Sequence, residues 1–546
     1  MRRAGGEVPG GRVATRARRI RSALAIVSLA GAFAVSGCLV GPDYVPPRAP
    51  TSGGWRDQDA ERVHTDAPAP ERWWEVFDDP ALSRLVEAAY AQNLTLRVAG
   101  LRVLEAQAAR GIAIGGLFPQ LQALNGSYSH QVLSRNGLGL GSFLVDRSLD
   151  NWQAGFDTAW EIDLWGRFRR AIEASDADLL GTVASYDDVL VSLVAEVAAT
   201  YLQIRELDER LAVARDNVTV QEDSLQIARV RFEAGGTSEL DVQQAATLLH
   251  DTEATIPQLE IERRQAVDSL CVLLGLPPQD LKAELGDPGR IPEVPVSVTV
   301  GLPAELLRRR PDVRSAEQAA AAQSARIGVA VADLLPAFQL SGSVGLSAEQ
   351  AAKFAEGRSF EAVAGPSFQW PVLNYGRLIN NVRLQDATFQ QLAVNYQNTV
   401  LLAQQEVEDS LIGYLRGSER VERLRESVAA ANRAVDLSLI QYRGGATDYT
   451  SVLNTQQAKL KEDDQLASTR GAVALSVVSL YKALGGGWEL REGKDFVPDE
   501  TREEMRARTH WGGMLSPEGR AADVEKAKSD AEKHPWWHWR WWWPKW

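Results

Sequence analysis

Residues 231–241 read RFEAGGTSELD, and residues 441–451 read QYRGGATDYTS. The two stretches lie 210 positions apart, and each combines a glycine pair with hydroxyl-bearing and acidic residues. Glycine readily adopts the left-handed backbone conformation that ends a helix, and threonine, serine or aspartate can cap the helix that follows. We therefore predict that one helix ends near Gly235 and another near Gly445, and that a return helix begins a few residues after each glycine.

The glycine pairs belong to a longer internal repeat. With an offset of 210, the chain matches itself without a gap from about residue 155 to 277, so that Trp160 corresponds to Trp370. Such a repeat indicates two copies of one structural unit rather than several unrelated domains. We assign the copies and their linker as 73–280, 281–302 and 303–490.

Each copy contains one long helical segment. Residues 167–233 contain no proline and would extend about 100 Å at 1.5 Å per residue. Every seventh residue from Val183 to Phe232, and from Ala393 to Tyr442, is apolar. This spacing is typical of coiled-coil packing with a left-handed supercoil. With a return helix of about 38 residues in each copy, the sequence predicts two helical hairpins.

Upstream of each long helix the hydrophobic period changes to two. Residues 338–346, FQLSGSVGL, alternate apolar and polar positions, as do 360–372 and 156–164, whereas 119–130 alternate poorly. The sequence thus predicts one β-hairpin per copy, which suits a membrane barrel with a polar lumen; a soluble sandwich is the alternative. Four strands cannot close a barrel, and side chains fill an eight-stranded one, so a channel needs at least three chains.

The amino terminus has the pattern of a secretory signal. Seven arginines precede an apolar run that is too short to span a bilayer as a helix and that ends at Val35-Ser36-Gly37-Cys38. This ending resembles that of bacterial lipoprotein signals. We therefore predict removal of 1–37, lipid attachment to Cys38 and a tether over 38–72; the alternative is a chance cysteine after an ordinary signal. Leu39, rather than aspartate, favours passage to the outer membrane.

Charge and spacing argue against other classes of protein. The net charge of −13 at pH 7 opposes nucleic-acid binding. The six histidines show no catalytic or metal-binding arrangement within the repeat. The glycine-rich stretch GLGLGS at 137–142 lies between two predicted strands, so we interpret it as an exposed loop rather than a phosphate-binding loop. We predict no enzymatic activity, no cofactor and no metal site.

The carboxyl terminus differs from the repeat. Residues 491–546 lack a core pattern, and we predict that they are disordered. The last eleven residues contain seven tryptophans, in the ending HPWWHWRWWWPKW. Tryptophan together with arginine and lysine favours a membrane interface; a non-functional end or a docking peptide is the alternative.

Several motifs resemble those of a known family. CLVGPDYVPP at 38–47, RRPDVRSAE at 309–317 and KALGGGW at 482–488 are similar to segments of TolC-like outer-membrane efflux factors, in their NodT/OprM-type lipoprotein branch. The resemblance covers about 38–490. It implies an α+β fold that assembles as a homotrimer, with a twelve-stranded outer-membrane β-barrel and a periplasmic tunnel of helices. Shorter helices, at about 81–116 and 303–333, would form a belt around the tunnel.

The function implied by the resemblance is that of the exit duct of a tripartite efflux pump. The partners would be a periplasmic adaptor protein and an inner-membrane transporter of the RND type, and the cargo would be drugs or other small molecules. Export of metal ions or type I-like secretion is an alternative within the same class. A periplasmic coiled-coil scaffold without a pore is an alternative of another class, and it leaves the strands unexplained.

The resemblance also implies roles for the hairpin tips. Inward-pointing acidic and bulky side chains would close the periplasmic end, and the candidates by position are Asp448, Tyr449, Asn454, Glu239 and Asp241. The adaptor would contact the tip glycines, Gly235, Gly236, Gly444 and Gly445. Family members commonly carry Leu-Asp-Ala where this chain has Leu453-Asn454-Thr455, so a charged ring there is in doubt. The alternative is that the two aspartates only cap or begin the return helices.

Overall fold

The computed structural model describes residues 39–65, 71–134, 148–303 and 309–532. The predicted signal, Cys38, the GLGLGS loop and the tryptophan-rich end lie outside the described residues.

The described part of the chain is mainly helical. Its helices are α1 (Pro80–Gln92), α2 (Leu94–Gly115), α3 (Arg167–Glu233), α4 (Glu239–Leu273), α5 (Pro311–Ala332), α6 (Arg377–Arg443), α7 (Tyr449–Ala483), α8 (Asp499–Arg508) and α9 (Pro517–Glu532), with a single turn at Lys282–Leu285. Its strands are β1 (Val63–His64), β2 (Leu121–Val132), β3 (Ser148–Ile162), β4 (Val298–Thr299), β5 (Ala337–Ala348) and β6 (Phe360–Gln369). Short 3-10 turns lie at Trp73–Phe77, Ala351–Lys353, Gly357–Ser359, Trp488–Arg491 and Gly512–Leu515. None of the described helices is long and apolar enough to cross a membrane.

The helices confirm the internal repeat. Helices α3 and α6 each have 67 residues, and the return helices α4 and α7 each have 35, slightly fewer than predicted. At both tips the glycine is left-handed, with φ of 72° at Gly235 and 75° at Gly445. The amide of Gly236 then donates to the Arg231 carbonyl at 2.8 Å, and that of Ala446 donates to Gln441 at 2.9 Å. These bonds end the long helices as the sequence predicts.

The seven-residue apolar spacing forms the core between the helices. In α3 the series is buried from Val183 to Leu225, apart from the half-buried Val218. In α6 it is buried from Ala393 to Tyr442, apart from the half-buried Val428. Only the last member in α3, Phe232, is exposed, because it lies at the open end of the tip. The coiled-coil prediction is thus confirmed along both long helices.

The longer strands form one antiparallel sheet in the order β2-β3-β5-β6. Its register pairs Trp160 with Leu340 and Phe156 with Val344, so that one face is apolar. The other face is polar: Asp157 pairs with Ser343, and further residues on this face are Gln153 and Glu361, whose side chains hydrogen-bond at 3.4 Å. The alternation confirms the predicted two-faced strands. Within the described residues, β2 and β6 are the edges of the sheet.

The belt helices differ from their predicted bounds. The predicted helix at 81–116 is interrupted at Asn93, whose side chain accepts from the Leu96 amide at 2.8 Å and donates to the Leu273 carbonyl at 2.8 Å. The break occurs because Asn93 caps α2. The second belt helix, predicted from 303, begins at Pro311, a residue that favours the first turn of a helix. Residues 304–308 lie outside the described part.

The disorder predicted for 491–546 is wrong for the part that the structure describes. Residues up to Glu532 include α8 and α9, and this part packs on the belt helix α2 and on the long helix α3. Arg491 forms an ion pair of 2.6 Å with the buried Asp187, and the Phe496 ring packs edge-on against Tyr186 at 5.2 Å. Further along, Val497 and Leu515 enclose Leu104 of α2. A few separate contacts hold this extension in place, rather than a continuous apolar face. Its sequence therefore shows no periodic core pattern.

The predicted tether is docked rather than free over its described part. Arg170 of α3 is almost completely buried and donates to the carbonyls of Val40, at 3.1 Å, and Gly41, at 3.3 Å. Further on, the amide of Ser52 and the carbonyl of Pro50 both bond to the Gln404 side chain of α6, each at 2.9 Å. The chain then pairs through β1 with β4 in the linker between the repeats. We call residues 39–65 the amino-terminal strap.

Candidate functional site at the hairpin tips

The two hairpin tips of one chain pack against each other. A separate apolar cluster joins them, and its buried members come from all four helices of the hairpins: Leu225, Ala228, Ala245, Leu249, Tyr442, Tyr449 and Val452. We call these residues and their polar partners the tip cluster. It lies at the end of the helices that is farthest from the sheet, because α3 and α6 each run 67 residues away from their strands.

Tyr442 of the second hairpin is held by two residues of the first. Its hydroxyl donates to Asp241 at 3.1 Å, and the same carboxylate accepts from the Thr237 hydroxyl. The guanidinium of Arg231 lies 4.4 Å from the centre of the Tyr442 ring and donates to the Tyr442 carbonyl. Burial, followed by the carboxylate of Asp241, raises the pKa of Tyr442 to about 12, so the hydroxyl remains a donor at neutral pH. This arrangement ties the hairpins together at their ends.

Tyr449 does not have the inward-pointing position that the sequence predicts for it. It is completely buried within its own chain, where its ring packs edge-on against Tyr442 with the ring centres 5.4 Å apart. Its hydroxyl lies 3.1 Å from that of Ser224 in α3. Tyr449 is the first residue of α7, and its side chain points towards the neighbouring hairpin. Tyr449 therefore fastens the two hairpins rather than narrowing a lumen itself.

The remaining predicted residues lie on the surface of the tips. Asp448 is exposed and caps α7 by accepting from the Ser451 amide at 3.3 Å, as the capping alternative predicts. Glu239 and Asn454 are exposed, as are all four predicted adaptor-contact glycines. Asp241 is the exception, since it is half-buried and contacts the other hairpin. Asp241 and Tyr449 thus lie together in the tip cluster, whereas Asp448, Glu239 and Asn454 lie on the surface outside it.

Sequence reasoning missed a polar seam between α3 and α7 on the sheet side of the tip cluster. The Arg210 guanidinium lies 2.8 Å from Asp464, and Arg470 pairs with Glu209. Lys459 contacts both Asn217, at 3.2 Å, and its own-helix neighbour Asp463, at 2.6 Å. These residues, with the buried Gln221 and Gln456, are what we call the polar seam. Its sequence signal is weak. Polar residues such as Gln221 occur in α3 three residues after the strictly apolar heptad position, in a series that mixes apolar, small and polar side chains.

Glu206 of α3 lies beside the polar seam, one turn before Arg210. Its carboxylate lies against Gly471 of α7, where any Cβ would collide with it. Burial raises the pKa of Glu206, and Arg210, 3.9 Å away, only partly opposes this effect. Three further carboxylates raise that pKa as well: Asp464, Glu262 and Glu209.

Comparison with known proteins identifies the family in which this arrangement of sheet and helical hairpins occurs. The sequence profile described as outer membrane efflux protein matches residues 85–276 and 302–486, which is more than half of the chain. The chain belongs to the outer membrane efflux protein family. This efflux protein is 31% identical over 454 residues to Nodulation protein T of Rhizobium leguminosarum bv. viciae, with 83% of this chain and 92% of that relative covered.

Other relatives cover a similar part of the efflux protein. It is 32% identical over 438 residues to the pyoverdine export outer membrane protein OpmQ of Pseudomonas aeruginosa, covering 80% of this chain and 91% of OpmQ. Among solved structures it resembles the outer-membrane channel OprN, with a TM-score of 0.77 and 33% identity, over 83% of this chain and 100% of OprN. These similarities confirm the predicted family and α+β fold, and they show that the protein is an outer-membrane channel for efflux.

We expect Glu206→Gln to change the pH dependence of stability. Because burial raises the pKa of Glu206, protonation stabilises the folded protein; this contribution is complete below the unfolded-state pKa and is lost as pH rises through the folded-state pKa. The neutral glutamine should therefore raise the melting temperature of the purified channel by a few degrees at neutral pH and not below about pH 4. The exposed Glu419→Gln is the control, and a lower melting temperature for Glu206→Gln at neutral pH would contradict the expectation.

Proposed function

We propose that three copies of this channel close one twelve-stranded barrel and form the exit duct of a tripartite pump for small organic molecules. The open sheet is the observation that carries this proposal. Backbone groups within a bilayer need internal hydrogen-bond partners, so an isolated four-stranded sheet with two free edges is not viable there. Because neighbouring strands in the order β2-β3-β5-β6 are antiparallel, β6 of one copy can pair with β2 of the next in the same antiparallel sense.

The surface of the helices also supports assembly. Large apolar side chains of α2 and α6 are about half exposed in the single chain: Val98, Leu384, Val394, Leu401 and Leu402. Exposed apolar surface on this scale marks an interaction site. A neighbouring copy that continues the sheet would also bring its own helices against these faces, and so one assembly would cover both the strand edges and the helix faces.

The partners proposed from family membership are a periplasmic adaptor protein and an inner-membrane transporter of the RND type. The cargo is proposed from the sheet. The polar face carries Asp157, Glu161 and Glu361, and the described strands β2, β3, β5 and β6 contain no lysine or arginine. An exit lined in this way favours neutral and cationic organic molecules over anions. OpmQ is named for pyoverdine export, and the relative TtgC of Pseudomonas putida is named for toluene efflux.

We also propose that Cys38 carries lipid, since the first residues of the strap lie directly beneath the sheet. Leu39 packs on Gly166, and the Val40 amide donates to the Trp165 carbonyl at 3.1 Å, between the end of β3 and the start of α3. Acyl chains on the preceding residue would therefore start beside the membrane.

Cys38→Ser should abolish labelling with radioactive palmitate and leave precursor in the cell. Label that remains on the serine variant would refute lipid attachment at this residue.

We propose that the tip cluster keeps the periplasmic end of the duct closed at rest. Tyr442→Phe with Arg231→Met removes the hydroxyl contact to Asp241 and the charged contact to the ring, while preserving most of the packing. Loss of bonds to charged groups costs about 1.5–3 kcal/mol, so the resting open probability should rise by about tenfold or more.

Single-channel recording in planar bilayers measures this effect. Glu419→Gln, at an exposed residue of α6 that makes none of these contacts, is the control and should conduct like the unmodified channel. If both variants conduct equally, the tip cluster does not control the resting state. A protein that forms no conducting pores under any condition would argue against a duct altogether.

We propose that the adaptor contacts the tip glycines. Substitutions at Gly444 and Gly445 can distinguish the effect of backbone strain from the effect of a lost adaptor contact. Gly445 has a φ of 75°, so valine there opposes the turn. Gly444 has an ordinary φ of −77°, and an added methyl group meets nothing closer than the Ile440 carbonyl at 3.5 Å. Gly445→Val should impair efflux and adaptor cross-linking while the trimer persists. Gly444→Ala should impair them only if the adaptor rests directly on this surface, and normal efflux in both variants would exclude the tips as the contact.

A further inference from the structure

The carboxyl-terminal extension lies outside the part of the chain that matches the family. The match ends at residue 486, whereas the described chain continues through α8 and α9 to Glu532. We call residues 487–532 the extension. It contacts the belt helix α2 and the part of the long helix α3 that lies beside α2. The extension therefore adds to the belt a layer that the family match does not include.

Helix α2 packs on two sides within its own chain. One side faces α3 and contributes Leu96, Ala99 and Val103 to the main core. A second side bears Leu104, which is only 1% exposed and belongs to a separate cluster. The other buried members of that cluster all come from the extension: Val497, Met505 and Leu515. The burial of Leu104 therefore depends on the extension rather than on the core that the two repeats form.

The surface of α2 is shaped to receive the extension at Gly100. This glycine is buried in the middle of the helix, where it is less favourable than alanine. A Cβ atom at this position would collide with the carbonyl oxygen of Phe496 in the extension. The Phe496 ring packs edge-on against Tyr186 of α3, and the guanidinium of Arg491 lies 5.0 Å from its centre. A side chain at Gly100 would therefore displace the extension from both helices.

A second contact holds α9 to the same two helices. Arg110 of α2, only 3% exposed in its side chain, pairs with Asp176 of α3 at 2.5 Å and with Asp523 of α9 at 3.4 Å. Removing a partner from a buried ion pair destabilises a fold. Because Gly100 and Arg110 are ten residues apart, the extension holds α2 over about 15 Å of its length.

The third side of α2 is uncovered in the single chain. Leu94, Val98 and Ile112 lie on this side, and they are 58%, 49% and 79% exposed. At about 100° per residue they fall within about 40° of one another, and each lies more than about 100° from Gly100 around the helix. A helix that is apolar on every side is normally buried completely. The third side therefore needs a partner outside the chain.

We propose that the extension is a brace for assembly, which fixes α2 on α3 so that the third side of α2 is held ready for a second copy of this chain. This inference rests on the proposed assembly of three copies. A second copy is the partner because α2 leads directly into β2, the edge strand beside which β6 of the next copy would lie. Fixing α2 before association removes part of the ordering cost of binding.

The experiment compares glycine-to-alanine variants of the full-length mature channel in detergent. Gly100→Ala should release the extension, whereas Gly111→Ala, in the same helix, adds a methyl group that meets nothing within 4 Å. Trypsin cleavage after Arg508, the last residue of α8, measures release. Exchange of subunits between batches that carry donor and acceptor dyes measures the contact between copies. Gly100→Ala should raise both rates at least about tenfold, and Gly111→Ala should raise neither.

A second variant changes the extension itself. Leu515→Ser removes an apolar side chain from the cluster around Leu104, and Met514→Ser, at a half-buried neighbour outside that cluster, is its control. Leu515→Ser should release the extension and speed subunit exchange as Gly100→Ala does, while Met514→Ser should do neither.

An extension that stays protected from trypsin in Gly100→Ala would overturn the proposal. Release of the extension with an unchanged rate of subunit exchange would also overturn it, and the assembly of three copies would then stand without a brace. An unmodified channel that forms no trimer would refute the assembly itself, and the brace with it.

Discussion

The structure depends on one packing constraint, the apolar side chain at every seventh position along α3 and α6. An α-helix repeats every 3.6 residues, so such a series stays on one side only when the helices supercoil. The offset of 210 residues between the copies is a multiple of seven, and both long helices therefore present the same buried series over 67 residues. Consequently the two glycine turns come to equal distances from the sheet, and the tips can contact each other.

The contact between the hairpins is of a different kind from the contact within each hairpin. Between α3 and α7 the polar seam includes Gln221 and Gln456, both at least 98% buried, with amide nitrogens that have no hydrogen-bond partner among the described residues. Each such group costs about 1–3 kcal/mol. Arg231 and Asp241 offset part of this cost at the very end, through Tyr442. The contact between the hairpins is therefore more polar than the apolar contact within each hairpin, and it combines ion pairs with buried amides that have no partner in the described part of the chain.

The sequence predicted the features that repeat or that depend on local backbone chemistry. The carboxyl-terminal ends of α3 and α6 follow from Gly235 and Gly445, because a left-handed glycine after a helical segment ends it. The position of Tyr449 could not be predicted, since the side chain at the start of α7 is buried only by the neighbouring hairpin. The extension was missed for a similar reason: Arg491 and Phe496 dock on Asp187 and Tyr186, more than 300 residues earlier in the sequence. Such contacts leave no period to detect.

These observations divide each chain into a fixed and an adaptable part. The strap reaches α3 at Arg170, the extension reaches it between Asp176 and Asp187, and all these contacts lie within the first 21 residues of the helix. The polar seam begins only at Glu209, and the tip cluster lies beyond it. A rearrangement that separates the hairpins can therefore proceed from the tips upwards while the attachments near the membrane remain in place. The closure that we propose at the tips would therefore allow opening without breaking the contacts of the strap or of the extension on α3.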